Sequence, residues 1–551
     1  MRHLRLAILV LFAAILAFGT RVANVRSVFL EGRIYFVDAD CYSRMTRAQM
    51  VLEGRGPVIR HHQFENHPQG VTPHTTAPLD WLIAGLKPVL DLGFRLLDPQ
   101  QTSVLRTQTL DLAGALVSPL LGTVTCVFLA FWAVRRERAR RRMNAEAGVT
   151  QPVPHVALAV PLLFALSPIL VHGTSLGRPD HQSLLIAVLA LALGAESRLA
   201  GEITRRWAIT SGVAWAVALW VSFYEPLVLF LAVLLVWATC SPRALITRER
   251  LLGFGIFAAI SGATIALEGW RIYPPESGML TYLANWNATI GELRHASPAI
   301  IFRWLGYACV LAPVLLVIRH RIDRRAVPML VLLLLVLALA VWQVRWGYFL
   351  ALVFVMTLPW QLAALRKTWL AWLVMFVGLW PILREWDERV FATDEAQRQL
   401  ALRQREVVQL REYAERMRAP EQRAFIAPWW MSPAIAYWSG QPGIAGSSHE
   451  SLPGTVATAR FYLSENPADA AAILRERQVG WVLADDPSRV ISTSQALLGT
   501  NPPARPLATV LAERPREAPP FLIEHSGPPP EYGDEPQFYR LFRVETANLS
   551  E

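Results

Sequence analysis

Apolar residues in this chain come in blocks of about twenty, the length a helix needs to cross the ~30 Å hydrocarbon core of a bilayer. The blocks lie near 4–22, 109–134, 155–173, 183–200, 207–223, 226–241, 251–268, 298–318, 326–344, 346–365 and 368–384 and predict about eleven membrane spans. The first block has the look of a signal peptide, but Phe18-Gly19-Thr20-Arg21 is a poor cleavage site and further spans follow, so it reads as an anchor. After 385 the pattern changes. Residues 385–418 are rich in Glu and Arg with Leu and Val at helical spacing, which predicts an exposed amphipathic helix. Phe425 to Trp430 reads as a strand, Ala468 to Arg477 as a helix, Val479 to Asp486 as a buried strand ending in a turn, and Phe538 to Val544 as a last strand. The Pro-rich 502–530 reads as surface linker. The pattern therefore predicts a polytopic α-helical membrane protein: a transmembrane domain, 1–384, with a long first outer loop, 23–108, then a small extracytoplasmic α/β domain, 385–551.

Composition agrees. Of 551 residues, 53% are hydrophobic and 17% charged, and mean hydropathy is +0.31, too apolar for an ordinary soluble protein. The net charge of +10 comes almost wholly from Arg. Its placement assigns it to a membrane surface rather than to nucleic acid, because basic clusters follow alternate spans: Arg135 to Arg142, Arg205-Arg206, Arg243 to Arg250, Arg319 to Arg325, and Arg366-Lys367. With Arg2 and Arg5 these mark the cytoplasmic side of an inner (plasma) membrane. The outer side then receives 23–108, 174–182, Tyr224-Glu225, 269–297, Arg345 and the tail. Cys126, Cys240 and Cys309 fall in apolar runs and Cys41 stands alone, so no disulfide framework or zinc spacing exists.

Every chemically suggestive residue lands on the outer face. Asp38 and Asp40 are two apart, share a face in extended chain, and offer oxygen ligands suited to Mg²⁺ or Mn²⁺; the alternative is an acidic pair that is solvated or bound to Arg44 or Arg47. His61, His62, His67 and His74 match no helical zinc motif and read as polar loop histidines. Residues 79–97 read as an amphipathic interfacial helix. In Gly177-Arg178-Pro179-Asp180-His181-Gln182 a charged Asp sits at the mouth of two spans, either functional or stapling the loop to Arg178. Tyr224-Glu225 reads as an interfacial anchor. Thr289 and Glu292, after Pro274-Pro275, have capping-box spacing, and Arg345 between two apolar runs either snorkels or clamps a phosphate.

Taken in order, these stretches resemble the catalytic subunit of oligosaccharyltransferase in its bacterial and archaeal single-chain forms, C-type membrane glycosyltransferases of thirteen spans. Asp40-Cys41-Tyr42 is similar to the first-loop Asp-x-Tyr, Gly177 to Asp180 to the second-loop Gly-x-x-Asp, and Thr289-Ile290-Gly291-Glu292 to Thr-Ile-x-Glu. Arg345 resembles the family's phosphate-binding arginine, and Trp429-Trp430 the start of Trp-Trp-Asp-Tyr-Gly. The resemblance implies inverting transfer from a polyprenyl (pyro)phosphate-linked sugar in the membrane lipid to a protein or glycan acceptor. It assigns Mn²⁺ or Mg²⁺ to Asp40, Asp180 and Glu292, donor phosphate to Arg345 and Arg178, the base to Asp40 or Glu292, and acceptor contacts to Trp429, Trp430, Thr289 and Ile290. Two departures stand out: Met431-Ser432-Pro433 replaces Asp-Tyr-Gly, removing the acceptor-reading carboxylate, and Gln182 replaces an acid or histidine. Rival readings are transfer of a single sugar from a polyprenyl monophosphate to a lipid, a glycan or Ser/Thr on the same fold, and a lipid-linked sugar flippase.

Overall fold

The structure, a computed structural model, describes residues 2–97, 104–146, 156–271, 277–320, 326–365, 367–526 and 537–550. Pro274-Pro275, the basic residues of 321–325, Arg366 and 527–530 lie outside them. The chain divides into two compact units: Met1–Phe29, Gly85–Leu267 and Glu292–Thr393 form one, and Leu30–Ala84, Glu268–Gly291 and Asp394–Glu551 the other.

The first unit is a bundle of apolar helices. Val104–Arg138, His181–Leu199, Arg248–Glu268 and Val344–Ala364 are long and apolar enough to cross a membrane, and Leu6–Arg21, Tyr224–Cys240, Ala326–Trp342 and Thr368–Gly378 are shorter apolar helices. The expected span 298–318 is instead a pair, Pro298–Leu305 and Ala308–Arg319, bent by 73°. Gly306 makes the corner at φ 75°, and a Cβ there would lie 2.0 Å from Gly378 O. A side chain would fit neither the backbone nor the space. The stretch 155–173 is likewise broken, into Val156–Leu166 and Pro168–His172, because Pro168 biases Ser167 out of the helical region. At the centre of the bundle, Gly347–Leu362 of helix Gly347–Ala364 are all buried, as a helix apolar on every side requires. Helix Arg248–Glu268 has similar hydropathy but only 11% of its apolar window is buried, leaving Leu251, Ile265 and Leu267 facing outward.

The second unit is α/β. Its sheet runs Ala424–Ile426, Val479–Ala484, Arg540–Val544, Leu522–Glu524, with the first pair parallel and the other two antiparallel. All six residues of Val479–Ala484 are buried, in keeping with a central strand covered on both faces. The strand expected over 425–430 stops at Ile426 before Pro428. Part of the expected linker is structured: helix Leu507–Glu513 buries Leu507, Val510 and Leu511, and Leu522–Glu524 forms the sheet edge. Flanking prolines mask this short apolar stretch in the sequence. The expected exposed helix is present as Asp394–Arg416, which buries only Leu410, Tyr413 and Ala414. Residues 30–84 join this unit because helix Ala39–Leu52 packs on helix Ser432–Ser439: Tyr42 meets Trp438 edge-on at 4.9 Å, and Phe36 meets Tyr437 at 6.2 Å.

Candidate active site

In the helical unit the chemistry gathers at the start of helix His181–Leu199. Asp180 is extended (φ −118°, ψ 151°) and caps that helix, its carboxylate accepting the His181 N–H at 2.6 Å and lying 2.7 Å from His181 Nδ1. This satisfies a helix-end donor and sets a negative charge against the positive helix terminus. Arg178 Nη2 lies 3.7 Å from Asp180 Oδ2 and 3.8 Å from Glu292 Oε1, and its Nη1 donates to His172 Nε2 at 3.1 Å. Arg178 and Asp180 are 4% and 5% exposed, whereas the Glu292 side chain is 42% exposed. The stapling pair weighed for this loop is therefore present, and the same guanidinium also reaches Glu292. With its amide nitrogen turned inward, Gln182 donates to Asp180 Oδ1 at 2.9 Å, which makes it a holder of the acid. Arg345 lies over Tyr224 at 5.6 Å and pairs with Glu225, which also accepts from Ser222 Oγ at 2.6 Å. The interfacial anchor expected at Tyr224-Glu225 is thus the partner of the expected phosphate arginine.

In the α/β unit, Asp38 and Asp40 do not form an extended pair. Asp38 is the N-cap of helix Ala39–Leu52 and accepts from Cys41 N at 3.1 Å, while Asp40 sits exposed in the first turn. Helix formation starts one residue too early for the alternating geometry. Arg44 and Arg47, the bland partners for Asp40, both bind buried Asp80, at 2.8 and 3.3 Å. The capping box is absent as well. Thr289 ends helix Leu280–Thr289 and donates to Trp286 O at 2.7 Å, and Ser297 caps the helix that follows. Ile290 and Trp429 pack on one apolar cluster with Trp286, Leu452, Val456 and Leu497. Trp429 meets Trp430 edge-on at 5.8 Å, and Arg489 lies over Trp430 at 4.5 Å. The two tryptophans, Thr455, Thr458 and Tyr462 line a water-sized cavity of about 20 Å³. Met431 is 4% exposed, and Ser432 Oγ donates to the Ala427 and Pro428 carbonyls, so neither supplies a substitute carboxylate.

Asp180 and Glu292 are oxygen donors of the kind that Mg²⁺ or Mn²⁺ accepts. Both carboxylates stand farther from Arg178 than the 2.7–2.9 Å of a direct charge-assisted hydrogen bond. Among the described residues, the three-residue group whose ligand atoms all approach within 4.8 Å is a different one: His74, His449 and Glu450. Sequence reasoning set His74 aside because the spacing of the loop histidines matches no helical metal motif; its partners here lie some 375 positions away, where no spacing rule reaches.

No family model and no curated protein matches the sequence. Solved structures do match in fold. The Archaeoglobus fulgidus oligosaccharyltransferase in complex with zinc and sulfate superposes with a TM-score of 0.62 at 14% identity, over 87% of this chain and 68% of its own. Archaeal AglB from the same organism, in complex with an inhibitory peptide and a dolichol-phosphate, gives 0.59 at 13% identity, over 88% and 70%. ArnT from Cupriavidus metallidurans bound to undecaprenyl phosphate gives 0.53 at 12% identity, over 90% and 94%. The chain has the helical membrane fold of C-type glycosyltransferases.

Proposed function

We propose that this protein is a membrane glycosyltransferase that moves a glycan from a polyprenyl (pyro)phosphate donor to an acceptor outside the cytoplasm. The observation that carries the reading is the buried Arg178 held between Asp180 and Glu292 at the mouth of a C-type fold. A buried guanidinium between two acids is poised for a phosphate, which it grips through paired N–H donors. Arg345 supplies a second, partly exposed cation that exchanges Glu225 for phosphate oxygen. A divalent ion held by Asp180 and Glu292 would neutralise charge on the departing phosphate. The acceptor atom bonds to the anomeric carbon as the sugar–phosphate bond breaks, the electron pair leaves on the lipid phosphate, and the acceptor proton passes to a carboxylate; the resemblance assigns that role to Asp40 or Glu292, with inversion. Trp429 and Ile290 furnish an apolar acceptor platform.

Two observations favour the single-sugar variant, transfer from a polyprenyl monophosphate. Met431 and Ser432 leave no carboxylate beside Trp429-Trp430 to read a hydroxylated sequon, and the ArnT match spans 94% of that chain. The test is transfer of label from polyprenyl-linked sugar to any acceptor by purified protein, with and without EDTA. No transfer with either a monophosphate or a pyrophosphate donor, or flipping of lipid-linked sugar without transfer, would overturn the reading.

A further inference from the structure

His74 lies on the loop between helices Ala39–Leu52 and Ala77–Leu97, and His449-Glu450 lie just before helix Leu452–Leu463, all within the α/β unit. His74 Nδ1 is 2.9 Å from Glu450 Oε1, and His449 Nδ1 is 3.6 Å from Glu450 Oε2. The two imidazole rings stand 4.9 Å apart, tilted by 38°. Three ligand atoms on a tetrahedron around zinc, with bonds of 2.0–2.1 Å, are separated by about 3.3 Å, so both histidine nitrogens already sit near bonding distance around one carboxylate. The surroundings fix the carboxylate and the chain that bears it. The backbone N–H of His74 donates to Glu450 Oε1 at 2.6 Å. Ser448, two residues before Glu450, donates to Glu65 at 3.2 Å, and Glu65 in turn accepts from Ser43 at 2.7 Å. Supporting hydrogen bonds of this kind orient metal ligands. The His74 side chain is 45% exposed and the Glu450 side chain 13%, which leaves an entry path and a fourth position open to water.

We propose that His74, His449 and Glu450 bind one divalent transition-metal ion, zinc by ligand type, which fastens the 53–76 loop to the start of helix Leu452–Leu463. Two imidazoles and one carboxylate suit zinc, whereas Mg²⁺ and Mn²⁺ prefer all-oxygen shells. The site uses none of the acids of the helical unit and stands whether or not the glycosyltransferase reading does.

The test uses full-length protein in detergent carrying Asp180→Asn and Glu292→Gln, so that metal held by those acids is not counted. After EDTA treatment and dialysis, zinc chloride alone is titrated and bound metal measured by mass spectrometry. About one zinc per chain is expected, and adding His449→Ala or Glu450→Gln should weaken binding by more than the 10–100-fold that loss of a mere outer partner costs. Zinc X-ray absorption should show two imidazole nitrogens. Less than about half a zinc per chain, or binding unchanged when His74 and His449 are both alanine, would overturn the proposal. If a variant fails to elute as a single species, the absorption spectrum of the protein with both histidines decides: a shell of oxygen atoms alone would overturn it.

Discussion

Asp180 and Glu450 hold nearly the same local geometry in different electrostatic settings. Each carboxylate accepts a backbone N–H at 2.6 Å and faces the Nδ1 of the same histidine, at 2.7 Å from His181 and 2.9 Å from His74. A permanent cation, Arg178, lies 3.7 Å from Asp180. Beside Glu450 stands a second imidazole, that of His449. A carboxylate beside a guanidinium is already compensated and is suited to sharing that cation with an incoming phosphate. One beside two imidazoles has a compensating charge only if protons or a metal supply it. On the proposed readings, the difference sets phosphate handling beside Arg178 in the helical unit against metal binding beside two imidazoles in the α/β unit.

The comparison breaks most visibly in activity. Asp180→Asn or Glu292→Gln is expected to lower sugar transfer by two or more orders of magnitude, roughly 3 kcal/mol of lost transition-state stabilisation. Asp40→Asn should do the same if the exposed acid of the first turn serves as base, and wild-type rates for all three would sink the site. His449→Ala should leave the transfer rate within about threefold. A change in activity as large as that of Asp180→Asn would merge the two regions into one.

Stability sharpens the comparison next. Glu450→Ala removes the acceptor of two solvent-accessible His74 contacts and is expected to cost about 0.5–1.5 kcal/mol, read as a lower melting temperature of the protein. Acid acts on the same region through His62, which is 3% exposed. Burial, aided by nearby Arg47, pushes its pKa down from the usual 6.5 to about 3. The unfolded chain therefore takes up a proton below pH 6.5 that the folded chain refuses down to about pH 3. Stability is complete above pH 6.5 and falls as pH drops through that window. Going from pH 7 to pH 5 is expected to cost about 2 kcal/mol, and His62→Gln should flatten the slope. An unchanged slope in that variant would assign the acid sensitivity elsewhere.

The smallest expected effect concerns the acceptor. Met431→Asp restores a hydrogen-bond-accepting carboxylate after Trp429-Trp430 and should raise transfer to an Asn-x-Thr peptide a few-fold at most, because Met431 is buried and a new charge there must find partners. Strong Thr-dependent glycosylation by the unaltered protein would show that another group reads the hydroxyl.

The sequence by itself determined the helical stretches and which loops carry the charged side chains. Membrane-length apolar blocks and buried strands are local patterns, and burial in lipid or core is what selects them; Val479–Ala484 and the helix around Gly347–Leu362 were legible for that reason. The loop from Gly177 to Gln182 was legible because Asp, Arg and His at the mouth of two apolar runs are costly without partners. Which partners each charge takes was decided only in three dimensions. Asp38 became a helix cap, Arg44 and Arg47 went to Asp80 rather than Asp40, Arg345 met Glu225, and His74 found His449 and Glu450. Spacing along the chain carries no information about such pairs. A charge takes the nearest oppositely charged or polar group that packing brings close, and packing is set by apolar contacts made far away in the sequence. The corner at Gly306 and the helix at Leu507–Glu513 were hidden for the same reason, one by a backbone contact with Gly378 and the other by a core that only the assembled sheet provides.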